Sequence, residues 1–235
     1  MGKINKLSVF FPAYNEEKNI KSTIEKAKKV LVNLDIVWEI LVIDDGSKDR
    51  TGEVADGFSR FDEKIRVVHH NPNRGYGGAL KSGFENAKYE WVAFTDSDGQ
   101  FDFSEITKFI EKQKQENADL VLGIRMHRAD PFIRTVFTFV WSKMLPRILL
   151  GLRVTDYSCG FKLIRKKVYT EVLPLIGEEK VTQIEMLTKA QRKGFKFAEV
   201  EVHHYPRKFG HQTGANLKVV LKSMRDLLTL WYQIR

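Results

Sequence analysis

Short apolar runs alternate with polar, helix-patterned stretches along the first half of this chain, and that alternation limits its fold more than any other feature. The runs are "LSVFFP" (7–12), "WEILVID" (38–44), "IRVVHH" (65–70), "WVAFTD" (91–96) and "ADLVLGI" (118–124). Helical patterning fills residues 16–34, "GSKDRTGEVADGF" opens a second helix, and "GYGGALKSGFENA" makes a turn and a third. Strands separated by helices form βαβ units, which place parallel strands side by side. Strands that are apolar throughout are covered on both faces. The expectation is therefore an α/β domain, with a mostly parallel central sheet and helices on both faces. In such sheets, ligands bind beyond the carboxyl ends of the strands.

The loops at those ends carry the chemistry. They read "PAYNEE", "DDGSKDRT", "NPNRGYGGA" and "DSDGQ", and the parallel arrangement brings all four to one edge. Asp96 and Asp98 lie one residue apart at the end of the fourth run, where their like charges repel. A hard divalent cation relieves that repulsion, and Mg²⁺ is commonly held by one or two carboxylates plus substrate phosphates. The pair is thus a candidate site for Mg²⁺ or Mn²⁺ and, through the ion, a diphosphate. Asp44 and Asp45 end the second run, where a carboxylate can accept hydrogen bonds from a base or ribose and Asp45, Ser47 or Asp49 can cap the next helix. "NRGYGG" (73–78) has the look of a phosphate-cradling loop but lacks P-loop spacing. No G-x-G-x-x-G follows the first run, which disfavours a nicotinamide enzyme. His69–His70 and His203–His204 are adjacent pairs whose side chains diverge on a strand, so they read as structural. The single cysteine, Cys159, rules out an internal disulfide and reads as inert.

Charge is divided unevenly along the chain. Residues 1–124 carry 18 Lys+Arg against 21 Asp+Glu, a net of −3, while the remainder carries 21 against 9, a net of +12. A basic second half suits an anionic partner: nucleic acid, phosphates or an anionic membrane. Nucleic acid is set aside despite the pI of about 9.5, because the chain has no RNP-like aromatic strands or zinc spacing. Residues 130–152 are apolar and aromatic over about one membrane span, but Arg134, Lys143, Pro146 and Arg147 interrupt them. An amphipathic surface segment fits better than a spanning helix. Residues 216–235 repeat that character, with apolar residues at helical spacing. The opening "MGKINK" is too short and polar to precede a secretory signal.

Taken in order, "FPAYNEE", "VIDDGSKDRT", "NRGYGGALKSG", "DSDGQ", "GIR" and "SCGFKL" resemble the inverting glycosyltransferases of family 2. Within that family they are most similar to dolichyl-phosphate mannose synthases and bacterial polyprenyl-phosphate glycosyltransferases. The resemblance implies a GT-A fold over residues 1–215, with a nucleotide-sugar half (1–124), an acceptor half (125–215) and a C-terminal amphipathic helix (216–235). It implies that Pro12, Tyr14 and Glu16 line the nucleotide pocket with Asp44 and Asp45. Asp96, Ser97 and Asp98 would bind the donor diphosphate, with Asp96, Asp98 and Gln100 around the metal. Asp98, Arg125, Arg134 and Lys162 would serve catalysis, the arginines facing phosphates. Arg207 and Lys208 would sit in a loop that closes over the diphosphate.

The implied partners are a nucleotide-sugar donor (GDP-mannose or a UDP-hexose), a polyprenyl-phosphate acceptor and a membrane surface, with room for a separate membrane-anchoring subunit. The implied location is the cytoplasmic face of a membrane, bound peripherally. Two departures weigh against mannose: "GHQTG" stands where relatives often have Gly-x-Ser-Lys, and Ser142 where mannose synthases have Asn. Two other activities fit the same loops: transfer to a hydroxyl acceptor, with Glu185 or Asp156 as base, and sugar nucleotidyl transfer.

Overall fold

The computed structural model describes residues 4–126, 145–177, 179, 181–209 and 217–233. Arg134, most of the 130–152 segment, Ser142 and the "GHQTG" stretch lie outside the described residues.

The apolar runs form strands where the alternation places them: β1 (Lys6–Ala13), β2 (Val37–Asp44), β3 (Ile65–His69), β4 (Trp91–Phe94) and β5 (Leu120–Arg125). Between them lie α1 (Ile20–Asn33), α2 (Thr51–Ser59), α3 (Gly75–Asn86) and α4 (Ile106–Glu116), the last preceded by a 3₁₀ turn over Phe103–Glu105. The second half adds α5 (Leu145–Leu150), β6 (Lys162–Arg165), α6 (Lys166–Glu171), α7 (Val181–Arg192), β7 (Phe197–Val202) and α8 (Leu217–Gln233). The C-terminal amphipathic stretch is thus helical.

One seven-stranded sheet runs in the order β3-β2-β1-β4-β6-β5-β7. β3, β2, β1 and β4 pair in parallel, as do β5 and β7, while β6 runs antiparallel between β4 and β5. Side chains alternate faces along each strand. Leu7, Val9 and Phe11 of β1 enter one core with Ile40 and Val42 of β2. Phe10, Leu41, Ile43, Val92 and Phe94 enter the other. Each face is covered by helices. On the first, α1 presents Ile20, Ile24, Ala27 and Leu31 as a buried stripe at helical spacing, and each large member contributes about 1.5–3 kcal/mol. On the second, Phe10 stacks on Phe94 with centroids 5.0 Å apart and meets Phe84 of α3 edge-on at 5.4 Å.

Candidate active site

Register decides what meets at the sheet edge. Ala13 pairs with Asp44, and Asp44 with His69, so the ends of β1, β2 and β3 are level. Phe10 pairs with Phe94, which carries the chain after β4 up beside Pro12 and Ala13. All four loops therefore converge, as parallel pairing requires.

The first two loops brace one another. Asn15, in the left-handed region (φ 55), accepts from the Lys48 amide at 2.8 Å, and its own amide donates to Ser47 Oγ at 3.0 Å. Pro12 is buried and Tyr14 half-buried at this junction. Asp44 and Asp45 are buried and already engaged. Asp44 Oδ1 accepts from the Ser47 amide at 3.1 Å, and Oδ2 lies 2.9 Å from His69 Nδ1. Asp45 Oδ1 accepts from the Arg74 amide at 2.8 Å and lies 2.6 Å from His70 Nδ1. His69 also reaches Asp56 at 3.1 Å through Nε2, so carboxylates flank both ring nitrogens. Burial opposes protonation of His69, but hydrogen bonding to Asp44 and Asp56 outweighs it and raises its pKa. The two histidines thus diverge, His69 to Asp44 and Asp56 and His70 to Asp45. His203 likewise contacts Glu105 at 2.9 Å.

The fourth loop holds the paired acids. Ser97 is buried and spends its hydroxyl on Pro12 O at 2.7 Å, which fixes the turn to β1. Asp98 Oδ1 accepts from the Gln100 amide at 3.1 Å. The Gln100 side chain donates to Tyr205 O at 3.0 Å, and the Tyr205 amide returns a bond to Gln100 O at 2.8 Å. These bonds seat residues 203–209 over the acidic turn. Arg207 in that loop pairs with Glu16 and lies 3.6 Å from Asp98 Oδ2. Lys208 is exposed beside it.

Burial raises Asp98 to about 7 and the neighbouring Asp96 charge adds to the effect, against the pull of the Gln100 amide and Arg207. Burial likewise raises Glu16, countered by Asn19 and Arg207. A carboxylate that resists ionising beside another is a site short of positive charge, which is the chemistry a divalent cation supplies. Among the described residues no group of three or more His, Cys, Asp or Glu gathers here. Two carboxylates fit an ion that takes its remaining ligands from phosphate and water.

Behind Asp96 the second half of the chain closes in. Arg125, at the end of β5, forms a bidentate pair with Asp156 at 2.8 and 2.9 Å and also donates to Ser158 at 2.7 Å. Although burial opposes it, the Asp156 carboxylate raises the guanidinium pKa further, so Arg125 stays charged. Lys162 opens β6, has no exposed surface, and donates to Cys159 O and Gln183 Oε1. Burial lowers it to about 8. Cys159 is buried, with its thiol raised to about 11 chiefly by burial, in keeping with an inert thiol. Glu185, a candidate base by sequence, is buried on Lys189 (2.6 Å) and the amides of Ile176 and Gly177 (each 2.9 Å).

Residues that sequence reasoning passed over complete the site. "GYGG" forms the first turn of α3, where a Cβ on Gly78 would fall 2.5 Å from Arg74 Cβ. In that turn the Tyr76 hydroxyl donates to Asp96 Oδ1 at 3.1 Å. Gln183 Nε2 donates to Tyr76 Oη at 3.0 Å. Gly160 is required for space, since a Cβ there would lie 2.3 Å from Asp96 Oδ2. The one sequence signal was the position of Tyr76 and Gly160 inside motifs; nothing local marked Gln183.

Residues 8–173 match the family described as glycosyl transferase family 2. The chain is 30% identical over 84% of its length to a dolichyl-phosphate beta-glucosyltransferase of Dictyostelium discoideum, of which it spans 65%. It is 31% identical over 96% of its length to an undecaprenyl-phosphate 4-deoxy-4-formamido-L-arabinose transferase of Pectobacterium carotovorum, of which it spans 67%. It is 28% identical to the glycosyltransferase AglD of Haloferax volcanii, matching over 97% of its own length but only 37% of that protein's. The chain thus spans between about a third and two thirds of these curated relatives. Its fold matches glucosyl-3-phosphoglycerate synthase of Mycobacterium tuberculosis, crystallised with Mn²⁺ and UDP, with TM-score 0.72 at 22% identity over 96% of this chain and 78% of that one. The loops at the sheet edge and the extent of these matches lead to one conclusion: the chain belongs to glycosyl transferase family 2 and has the GT-A fold.

Proposed function

We propose that this chain transfers a sugar, with inversion, from a nucleotide sugar to a polyprenyl phosphate at a membrane surface. The observation that carries the reading is the charge pattern at the sheet edge. Asp96 and Asp98 stand side by side at the end of β4, and the cations Arg207 and Arg125 close in from the second half. Asp96 and Asp98, with Gln100 beside them, would hold Mg²⁺ or Mn²⁺, which when bound neutralises charge growing on a diphosphate leaving group. Asp44, Asp45, Pro12, Tyr14 and Glu16 would then form the nucleoside side of the pocket, for GDP-mannose or a UDP-hexose. Arg207 and Lys208 would meet the diphosphate, and Arg134 the acceptor phosphate.

The acceptor follows from where the acids are spent. A hydroxyl nucleophile needs a base, yet Glu185 is locked on backbone amides and Asp156 on Arg125. A phosphate monoester is already anionic near neutrality, with a second pKa of about 6, and needs none. The names of the Dictyostelium and Pectobacterium relatives point the same way, since both refer to polyprenyl phosphates. Asp156 then acts by holding Arg125. Asp156→Asn is expected to destabilise the fold by about 3 kcal/mol, through a weakened buried ion pair. Turnover on lipid phosphate should persist with the limbs of the wild-type pH–rate profile unchanged; loss of the acid limb together with turnover would make Asp156 the base.

Membrane binding is the second half of the proposal. Among the described residues no helix is long and apolar enough to cross a membrane. Ile148 of α5 and Leu228 and Tyr232 of α8 are exposed apolar side chains, and the half that carries them is strongly basic. Each basic residue near an anionic surface adds about 1 kcal/mol. Binding to phosphatidylserine vesicles should therefore be measurable by sedimentation and should weaken as salt rises. Recruitment by a separate membrane subunit would instead appear as salt-independent absence of vesicle binding.

The deciding experiment incubates the protein with Mn²⁺, a panel of labelled GDP- and UDP-sugars, and either polyprenyl phosphate or oligosaccharide. Label entering an organic-soluble lipid-phosphate sugar is expected. Label in oligosaccharide would move the activity to a hydroxyl acceptor, and pyrophosphate release from nucleoside triphosphate plus sugar phosphate would make the chain a nucleotidyltransferase.

A further inference from the structure

The fully buried Lys162 lies close to the acidic site and, among the described residues, makes no ion pair with its carboxylates. Its place is set by the sheet: Lys162 pairs with Phe94, the last residue of β4 before the turn that bears Asp96. Burying an ammonium is costly unless its charge is used. Its hydrogen-bond acceptors among the described residues are a carbonyl, Cys159 O, and an amide oxygen, Gln183 Oε1.

Those contacts fix a direction. An ammonium has three donors and no acceptor. Gln183 must therefore turn its amide oxygen toward Lys162 and its NH₂ away from it. That NH₂ donates to Tyr76 Oη at 3.0 Å. With its oxygen accepting from Gln183, Tyr76 has its own proton left to donate, and Asp96 Oδ1 stands 3.1 Å away. The other carboxylate oxygen faces the bare Cα of Gly160, where a Cβ would lie 2.3 Å from Oδ2. Asp96 is thus held by a directed hydrogen bond on one side and a close backbone approach on the other. The elements that meet here are far apart in sequence: Gln183 of α7 contacts Tyr76 of α3 across 107 residues.

We propose that Lys162, Gln183 and Tyr76 form a one-way hydrogen-bond relay that positions the Asp96 carboxylate for the cation and diphosphate, making Tyr76 and Gln183 positioning residues of the donor site. This deepens the proposed function and rests on its assignment of Asp96 as a metal ligand. Lys162 then serves the site from behind rather than by contact with phosphate. Its positive charge polarises the relay toward Asp96, because chained hydrogen bonds reinforce one another in a low-dielectric interior.

Gln183→Glu separates this role from packing. The carboxylate keeps the shape of the side chain and gives Lys162 a direct ionic partner, so thermal stability is expected to hold or rise. It has no hydrogen to donate to Tyr76, and it offers the Tyr76 hydroxyl an acceptor that competes with Asp96. Affinity for Mn²⁺ alone, followed by the electron paramagnetic resonance signal of the free ion, is expected to fall about tenfold, as for other groups that orient metal ligands. Tyr76→Phe should show the same loss without a large change in Tm, and Asp96→Asn sets the limit. Mn²⁺ affinities of Q183E and Y76F equal to wild type, with D96N impaired, would overturn the relay and leave the proposed function intact. Equal binding by wild type and D96N would overturn both.

Discussion

Asp98→Asn is expected to abolish sugar transfer and yet stabilise the metal-free protein at neutral pH. The two effects share one cause. In the fold, Asp98 is raised from 3.8 to about 7 by burial first and by the adjacent Asp96 charge second. Its side chain is 13% exposed, so solvent screens little of this. The displacement corresponds to roughly 4 kcal/mol as an upper bound. A carboxyl whose folded pKa is raised supports stability while it stays protonated. Below about pH 4 folded and unfolded chains both hold the proton, and the substitution changes little. Between about pH 4 and 7 only the folded chain holds it, so wild-type stability declines as pH rises. Above about 7 the full cost remains in the wild type and is absent in Asp98→Asn. Melting of both proteins in chelator across pH 4–8 should thus diverge progressively, with the variant higher. Turnover should fall by at least about 10²–10³-fold, the usual effect of losing a group that stabilises developing charge. A variant no more stable than wild type at pH 8 would show that Arg207 already neutralises the pair.

Gly160→Ala carries the second large effect, from a single methyl group. The added Cβ would sit 2.3 Å from Asp96 Oδ2 and 2.6 Å from Asp96 Cγ, far inside contact distance. One of the two must move. Gly160 lies two residues before β6, whose first residue Lys162 is fixed by pairing with Phe94, so the short Asp96 side chain yields. That breaks its bond with Tyr76 and turns it from the cation. Displacing a reacting group by about 1 Å can cost 10²-fold in rate, and a loss of that order is expected. Overpacking of this kind typically costs about 1–3 kcal/mol, so the variant should still fold and melt somewhat earlier. A crystal structure should show Asp96 rotated. Normal turnover with Asp96 unmoved would mean that the backbone at Gly160 has room to recede.

The two substitutions bracket the carboxylate pair. One removes a charge that the fold tolerates at a cost, and the other leaves every charge in place but shifts one. Together they separate the electrostatic demand of the site from its geometric demand. Their effects on stability oppose one another while their effects on turnover agree, a pattern that general destabilisation does not produce.

The sequence by itself determined the α/β alternation, the parallel pairing of β1 to β4 and the convergence of four polar loops at one edge. These follow from local signals: apolar period, turn residues and the short range over which a strand feeds a helix. For the same reason it placed Asp44, Asp45, Asp96 and Asp98 together. Only the tertiary structure decided how those acids are held. β6 inserts antiparallel between β4 and β5, an order that no periodicity specifies. That insertion delivers Lys162 behind Asp96, and α7 brings Gln183 to Tyr76. Asp44 and Asp45 prove to be braced by His69 and His70, and Asp156 by Arg125. Partners of this kind are chosen by packing across the whole chain. A side chain's neighbours in space depend on strand order and helix placement, which local pattern leaves open.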